Sequence, residues 1–358
     1  MQGLACRISL RPLISTGQEW TKTLQWKLCD SSGRVLGPGH GESRLFSSTS
    51  SQAKEKKPPP RRAILYVPGN DERKIKKVAS IGADCIVLDC EDGVAANKKD
   101  AAQEMIHEVL NTGLHGSFGR SECCVRTNSV DSGLCEEDLK AALTASHLPH
   151  SLMLPKVNEA DELKWYDDRV SKALAGRGDS KKQKLLPLIW MAESAKSVMD
   201  LPELAHVAEN LSSLESQCIV FGSDDFCADI GAVRTHDASE LLYARQRVVV
   251  ICKAFRLQAI DLVYIDYKNL EGCRRQSLEG ASMGFTGKQA IHPSQIPIIH
   301  DAFSPSEDKI QWATRLIQEF QRNQELGKGA FVFDGKMIDM PLLLQAKGII
   351  HLAEGIKT

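Results

Sequence analysis

Short runs rich in Val, Ile and Leu recur from Ala63 onward, at Ala63–Pro68, Cys85–Cys90, Cys123–Thr127, Leu152–Val157, Leu185–Met191, Cys218–Gly222, Ala259–Ile265 and Gly284–Ile291. Most lack polar alternation, which is the pattern of parallel strands covered on both faces. Amphipathic segments of good helix formers separate them: Asp71–Ile81, Lys98–Leu110, Glu136–Thr144, Glu159–Leu174, Ser197–Glu209, Ser239–Phe255 and Leu270–Met283. Asn158 is placed to cap the fourth of these and Gly82 to stop the first. Eight alternating β and α units predict an α/β fold, a TIM (β/α)8 barrel over residues 63–300, with a doubly wound open sheet as the alternative.

Both flanks differ from this pattern. Beyond the barrel, Ser304-Pro305-Ser306-Glu307 reads as a helix start, with Ser304 as cap, Pro305 in the first helical position and Glu307 completing a capping box. That helix runs to about Leu326, with Ile310, Ala313, Leu316, Ile317 and Phe320 on one face. Gly327–Ala330 ends it, and Phe331–Asp339 leads into an apolar helix starting near Pro341. Residues 301–358 thus form a C-terminal helical extension, too small to fold alone, that must dock on the barrel or on a neighbouring subunit. Before the barrel, Met1–Ser51 carries Arg7, Arg11, Lys22, Lys27, Arg34 and Arg44 against Glu19, Asp30 and Glu42. A basic, Ser-rich start without a compact apolar core is the pattern of a mitochondrial transit peptide; an ordinary disordered tail is the alternative. Gln52–Arg62 reads as a basic, proline-bearing linker.

Charge and cysteine usage narrow the function classes. Lys+Arg number 45 against 46 Asp+Glu, a net charge of −1, so bulk charge points to neither nucleic acid nor a membrane surface. No apolar run approaches the roughly 20 residues of a membrane-spanning helix. The 11 cysteines are scattered, with no CxxC pair and no zinc-ligand spacing, and read as free thiols in a reducing compartment. What remains is an enzyme-like pattern at the carboxyl ends of the apolar runs, where TIM barrels place their chemistry. Tyr66 follows the first run, Asp89, Glu91 and Asp92 the second, and Arg126 and Asn128 the third. Lys156, Glu193, Asp225, Asp266 and His292 follow the fourth to the eighth. Any one of these also fits a helix cap or a barrel ion pair; together they fall on one rim.

Five segments follow one another in order: Leu65-Tyr66-Val67-Pro68-Gly69-Asn70, Leu88-Asp89-Cys90-Glu91-Asp92-Gly93-Val94, Leu154-Pro155-Lys156-Val157, Phe221-Gly222-Ser223-Asp224-Asp225-Phe226 and Gly287-Lys288-Gln289-Ala290-Ile291-His292-Pro293. From about Arg61 to the end, the chain resembles the HpcH/HpaI aldolase and citrate lyase β-subunit family, and its tail Gly327–Pro341 resembles the mitochondrial members. The resemblance implies a Mg²⁺-dependent acyl-CoA lyase on a TIM barrel, a homotrimer of the mitochondrial matrix. The implied reaction is retro-Claisen or retro-aldol cleavage of citramalyl-CoA to pyruvate and acetyl-CoA, with malate synthase and β-methylmalate synthase side activities on 2-oxo acids such as glyoxylate.

Carried over residue by residue, the resemblance puts the metal on Glu193 and Asp225, two acids from adjacent strands, as a hard cation that keeps waters requires. It puts the CoA thioester on Tyr66, Arg73, Lys77 and Arg126. Arg73 and Lys77 are four apart on a helix and share a face, which by itself is also a solvated basic face. Arg126 is expected to reach the thioester or a carboxylate bidentately and to stabilise the enolate oxygen. Asp339 is expected to protonate the enolate carbon, over its own barrel or a neighbour's; it also fits an N-cap for the last helix. Ser194 stands where the family usually has Thr, and Arg73 where it often has Lys. Alternatives are a malyl-CoA or methylmalyl-CoA lyase, a Schiff-base aldolase using Lys156, and a non-catalytic binding subunit.

Overall fold

A computed structural model describes residues 58–177, 185–327 and 329–357. The transit-peptide expectation for Met1–Ser51, with Cys6 and Cys29, lies outside the described residues. Eight parallel strands form a closed barrel: β1 (Ala63–Pro68), β2 (Cys85–Asp89), β3 (Glu122–Arg126), β4 (Ser151–Leu154), β5 (Leu186–Ala192), β6 (Leu214–Phe221), β7 (Gln258–Asp261) and β8 (Gly287–Ala290). β1 lies between β2 and β8, with Ile64 opposite both Cys85 and Gln289, so the sheet closes and the open-sheet alternative falls away. β4 stops one residue before Pro155, which has no N–H to give to a ladder.

The helices that cover the barrel are α1 (Glu72–Lys77), α2 (Lys99–Asn111), α3 (Cys135–Leu143), α4 (Ala160–Ala175), α5 (Ala195–Glu209), α6 (Ser223–Ile230), α7 (Leu242–Ala254), α8 (Leu270–Met283) and α9 (Ile296–Phe303). Seven of them match the segments read from periodicity. α6 and α9, eight residues each, are too short to register a helical period. α4 is capped by Glu159 in a reciprocal capping box with Glu162, not by Asn158. Asn158 gives its N–H to that Glu162, and its side-chain oxygen accepts from the Ser194 hydroxyl.

Two packing layers explain why the strands read as unbroken apolar runs. Ile64, Cys85, Val87, Cys124, Met153, Ile189, Met191, Cys218, Val220 and Ile260 fill the barrel interior. Their outward neighbours, among them Leu65, Ile86, Leu88, Val125, Leu152, Trp190 and Ile219, pack against the helices. The nine cysteines among the described residues are all free and buried. At the strand amino ends, Arg61 is only 1% exposed and pairs through Nε and Nη2 with Glu122, at 2.5 and 2.8 Å. Arg62 grips Asp84 through Nε and Nη2 at 3.0 and 2.8 Å. The expected linker is therefore shorter than Gln52–Arg62: Arg61 and Arg62 belong to the fold.

The extension carries α10 (Glu307–Glu325), a hairpin of β9 (Phe331–Phe333) and β10 (Lys336–Ile338), and α11 (Met340–Lys357). Ser306 caps α10 by accepting the Lys309 N–H at 3.3 Å, whereas Ser304 accepts from Arg62 at 2.9 Å and lies outside the helix. The hairpin turn uses Asp334 and Gly335, both left-handed with φ of 48° and 74°, the Asp-Gly pair such a turn favours. Ala313, Leu316, Phe320, Phe331, Ile338, Leu343 and Ala346 form a core separate from the barrel's. α10 starts beside Arg62, and α11 ends beside Arg120, whose Nη2 donates to the Ile356 carbonyl at 3.1 Å, and beside Pro60. Both anchors lie at the strand amino ends. The hairpin thus sits at the far end of the α10–α11 pair, about 27 Å along α11 at about 1.5 Å per residue.

Candidate active site

The alternation that packs the interior also builds the rim. Two residues beyond interior Ile64, Val87, Cys124 and Met191 come Tyr66, Asp89, Arg126 and Glu193, facing inward at the strand carboxyl ends. Arg126 donates through Nε and Nη2 to both oxygens of Asp89, each at 2.7 Å. Its Nη1 stands 2.7 Å from Glu91 Oε2, and its guanidinium lies 4.8 Å above the Tyr66 ring. The bidentate grip expected for a substrate therefore falls on Asp89. Asp89 also accepts the N–H groups of Glu91 and Gly93, at 2.8 and 2.9 Å, which fixes the loop after β2. Tyr66 turns its hydroxyl into the barrel and donates to Gln289 Oε1 at 2.9 Å.

Lys156 connects both sides of the rim. It is left-handed, with φ of 52°, and its N–H donates to Glu193 Oε2 at 2.6 Å. Its Nζ lies 2.7 Å from Glu91 Oε1, 3.3 Å from Asp92 Oδ1 and 3.7 Å from Asp225 Oδ1. Partial burial would lower its pKa, but these three carboxylates outweigh burial and raise it. A Schiff-base nucleophile needs a neutral amine, so the geometry opposes the Lys156 aldolase alternative.

Glu193 is buried, and its pKa is pushed up to about 8, first by burial and then by repulsion from Glu91 and Asp225. It fits because residue 222 is glycine: a Cβ there would stand 2.7 Å from Glu193 Cδ and closer still to Cγ and Oε1. Asp225 rises from the first turn of α6, its side chain 42% exposed. Among the described residues no three His, Cys, Asp or Glu side chains converge to enclose a metal. A Mg²⁺ site needs no such cage, because the ion takes one or two carboxylates and keeps waters. The carboxylates of Asp89, Glu91, Asp92, Glu193 and Asp225 gather at this rim, and among the described residues their ion pairs run to Arg126 and Lys156. The donor set is all oxygen and short of positive charge, which suits a hard divalent cation.

The structure thus brings Tyr66, Arg126, Glu193 and Asp225 together. Arg73 and Lys77 are exposed on α1, directly after β1. Asp339 stands apart: it is exposed, its carbonyl accepts the Leu343 N–H at 3.2 Å at the start of α11, and it has no described contact with the rim. Lys99, read only as part of a helix, proves to hold the acidic loop. Its Nζ donates to the Cys90 and Glu91 carbonyls and to Asn128 Oδ1, at 2.7, 2.8 and 2.8 Å. Only its nearness in sequence to the acidic motif hinted at this.

Residues 62–293 match the profile of the HpcH/HpaI aldolase/citrate lyase family. The chain belongs to that family. Among its relatives, the mitochondrial citramalyl-CoA lyase of Homo sapiens is 51% identical over 320 residues, 88% of this chain and 91% of that protein. A CitE protein from Mycobacterium tuberculosis, solved with magnesium, acetoacetate and coenzyme A, superposes with a TM-score of 0.65 at 26% identity, covering 82% of this chain and 98% of its own. A citrate lyase from Burkholderia xenovorans superposes at 0.71 and 21% identity, covering 85% and 94%, and bears on the fold alone.

Proposed function

We propose that the protein is a Mg²⁺-dependent carbon–carbon lyase that cleaves citramalyl-CoA to pyruvate and acetyl-CoA. The observation that carries this reading is the oxygen-rich, cation-poor rim around Glu193 and Asp225, in a chain half identical to a citramalyl-CoA lyase. Glu193 and Asp225 hold the metal, which when bound supplies Lewis-acid stabilisation of oxygen charge on the 2-oxo acid side. Arg126, buried and fixed by Asp89 and Glu91, presents a charge that needs no reorganisation as the enolate oxygen of acetyl-CoA develops. Arg73 and Lys77 take the CoA phosphates, and Tyr66 lines the approach to the barrel mouth. As the C–C bond breaks, the hydroxyl of the pyruvate half gives its proton to water at the open rim and Asp339 delivers one proton to the enolate carbon. Asp339 is then reprotonated from water, so the cleavage is proton-neutral overall.

Asp339 reaches that carbon from a neighbouring copy. Its extension is anchored at the strand amino ends and carries its own core, which supports action across subunits. Val332, Met337, Met340 and Leu344, 50–67% exposed around Asp339, offer an apolar surface for that docking. We read the assembly as a homotrimer and the location as the mitochondrial matrix, the latter on the basic start and the mitochondrial relatives. A pocket discriminates one methyl group by only about 1–3 kcal/mol, so malyl-CoA cleavage and malate synthesis from glyoxylate are expected side reactions.

The test is subunit complementation. Asp339→Asn and Glu193→Gln variants should each be folded and nearly inactive, with kcat lowered roughly 10²–10⁴-fold for the former. Mixed assemblies should regain activity, since some sites then have both wild-type residues. Mixed assemblies as inactive as the parents would refute action across subunits. An Asp339→Asn enzyme that turns over normally but melts earlier would reduce Asp339 to a cap.

A further inference from the structure

Lys156 is an unexpected side chain at its position. A left-handed φ of 52° favours glycine, and an L side chain there carries strain. The strained backbone achieves two things at once. It turns the N–H onto Glu193 Oε2, and it sends the ammonium across the rim to Glu91, Asp92 and Asp225. Glycine would keep the first contact and lose the second.

The charges around the ammonium are unequal. Glu91 is nearly buried and is also paired with Arg126. Asp225 is half-exposed, meets Lys156 at 3.7 Å, and has no other described cation within ion-pair distance. A divalent cation arriving at Asp225 must therefore displace or stand beside a fixed positive charge, which opposes it electrostatically. A substrate bearing a carboxylate offsets that opposition.

We infer that Lys156 is a positioning residue that acts through Asp225 to weaken metal binding by the free enzyme, so that the divalent cation enters together with its anionic substrate. This deepens the proposed metal site and rests on it. Because the N–H contact to Glu193 is backbone, replacing the side chain removes the charge and leaves that ligand held.

The experiment titrates Mn²⁺ alone into substrate-free protein, with free Mn²⁺ read by electron paramagnetic resonance. Lys156→Met and Lys156→Gln should bind Mn²⁺ at least tenfold more tightly than the parent. Lys156→Arg, which keeps the charge, should stay within about threefold. Adding pyruvate should tighten binding by the parent much more than by Lys156→Met. Unchanged or weaker binding by both neutral variants, or equal tightening by the Arg variant, would overturn the inference. Glu193→Gln and Asp225→Asn in the same titration separate the two readings. If they bind Mn²⁺ like the parent, the metal site itself is misplaced; if they lose it while Lys156→Met is unchanged, only the role of Lys156 fails.

Discussion

Glycine 222 offers a direct test of whether the rim depends on Glu193 being where the structure puts it. Replacing it with Ala places a methyl group 2.7 Å from Glu193 Cδ, whereas ordinary contacts begin near 3.4 Å. Because Oε1 and Cγ would lie closer still, the side chain must move by about an ångström or more. The same carboxylate is held on its other oxygen by the 2.6 Å hydrogen bond from the Lys156 N–H, which the shift is expected to strain. Overpacking of this kind costs about 1–3 kcal/mol. A displacement of about 1 Å at a positioned catalytic group costs about 10²-fold in rate. Gly222→Ala should thus lose about 1–3 kcal/mol in urea unfolding and about two orders of magnitude in kcat. The cause can be isolated by a double-mutant cycle. In a Glu193→Ala background the clash has no partner, so adding Gly222→Ala should cost less than about 0.5 kcal/mol. If the glycine replacement is as damaging without Glu193 as with it, the loss lies in the backbone and the reasoning is wrong.

Three further outcomes are expected. Burial alone would raise the pKa of Asp84, but the His300 ring nitrogen 3.2 Å away and the hydrogen bonds and charge of Arg62 bring it down from 3.8 to about 2. A depressed carboxylate contributes stability above its unfolded pKa and loses it as pH falls through the folded one, so about 2 kcal/mol should disappear between about pH 4 and 2. Asp84→Asn should show that loss already at pH 7, and an unchanged acid unfolding profile would contradict the pairing. Lys77→Glu should raise KM for the CoA thioester with little change in kcat, because a phosphate contact binds ground and transition states alike; a fall in kcat alone would move Lys77 out of the CoA site. A fluorescent reporter fused behind Met1–Ser51 should enter mitochondria, and diffuse cytosolic signal would remove the targeting claim.

The period of the apolar runs was enough to locate the strands of the barrel, because a strand buried on both faces needs a continuous apolar stretch and each such stretch is local. The same period implied that residues two beyond the interior side chains would face the mouth, which is why Tyr66, Arg126 and Glu193 were legible as rim residues. Closure of the sheet was not local: it depends on β1 meeting β8, more than two hundred residues away. Nor could a pattern say which partner a charged group takes. Arg126 spends its fork on Asp89, and the Lys156 N–H fixes Glu193, each across 37 residues of chain. Helix caps were misread at Asn158 and Ser304 because neighbouring polar residues compete for the same N–H groups, and only packing selects Glu159 and Ser306. The sequence by itself determined the strands, most helices and the residue types along one rim. Only the tertiary structure shows that Lys156 is ion-paired with Glu91, Asp92 and Asp225, and that the Asp339 side chain is exposed with no described contact to the rim. The physical reason is that charge and proximity depend on which distant groups the closed barrel brings within a few ångströms, and a local pattern does not encode those distances.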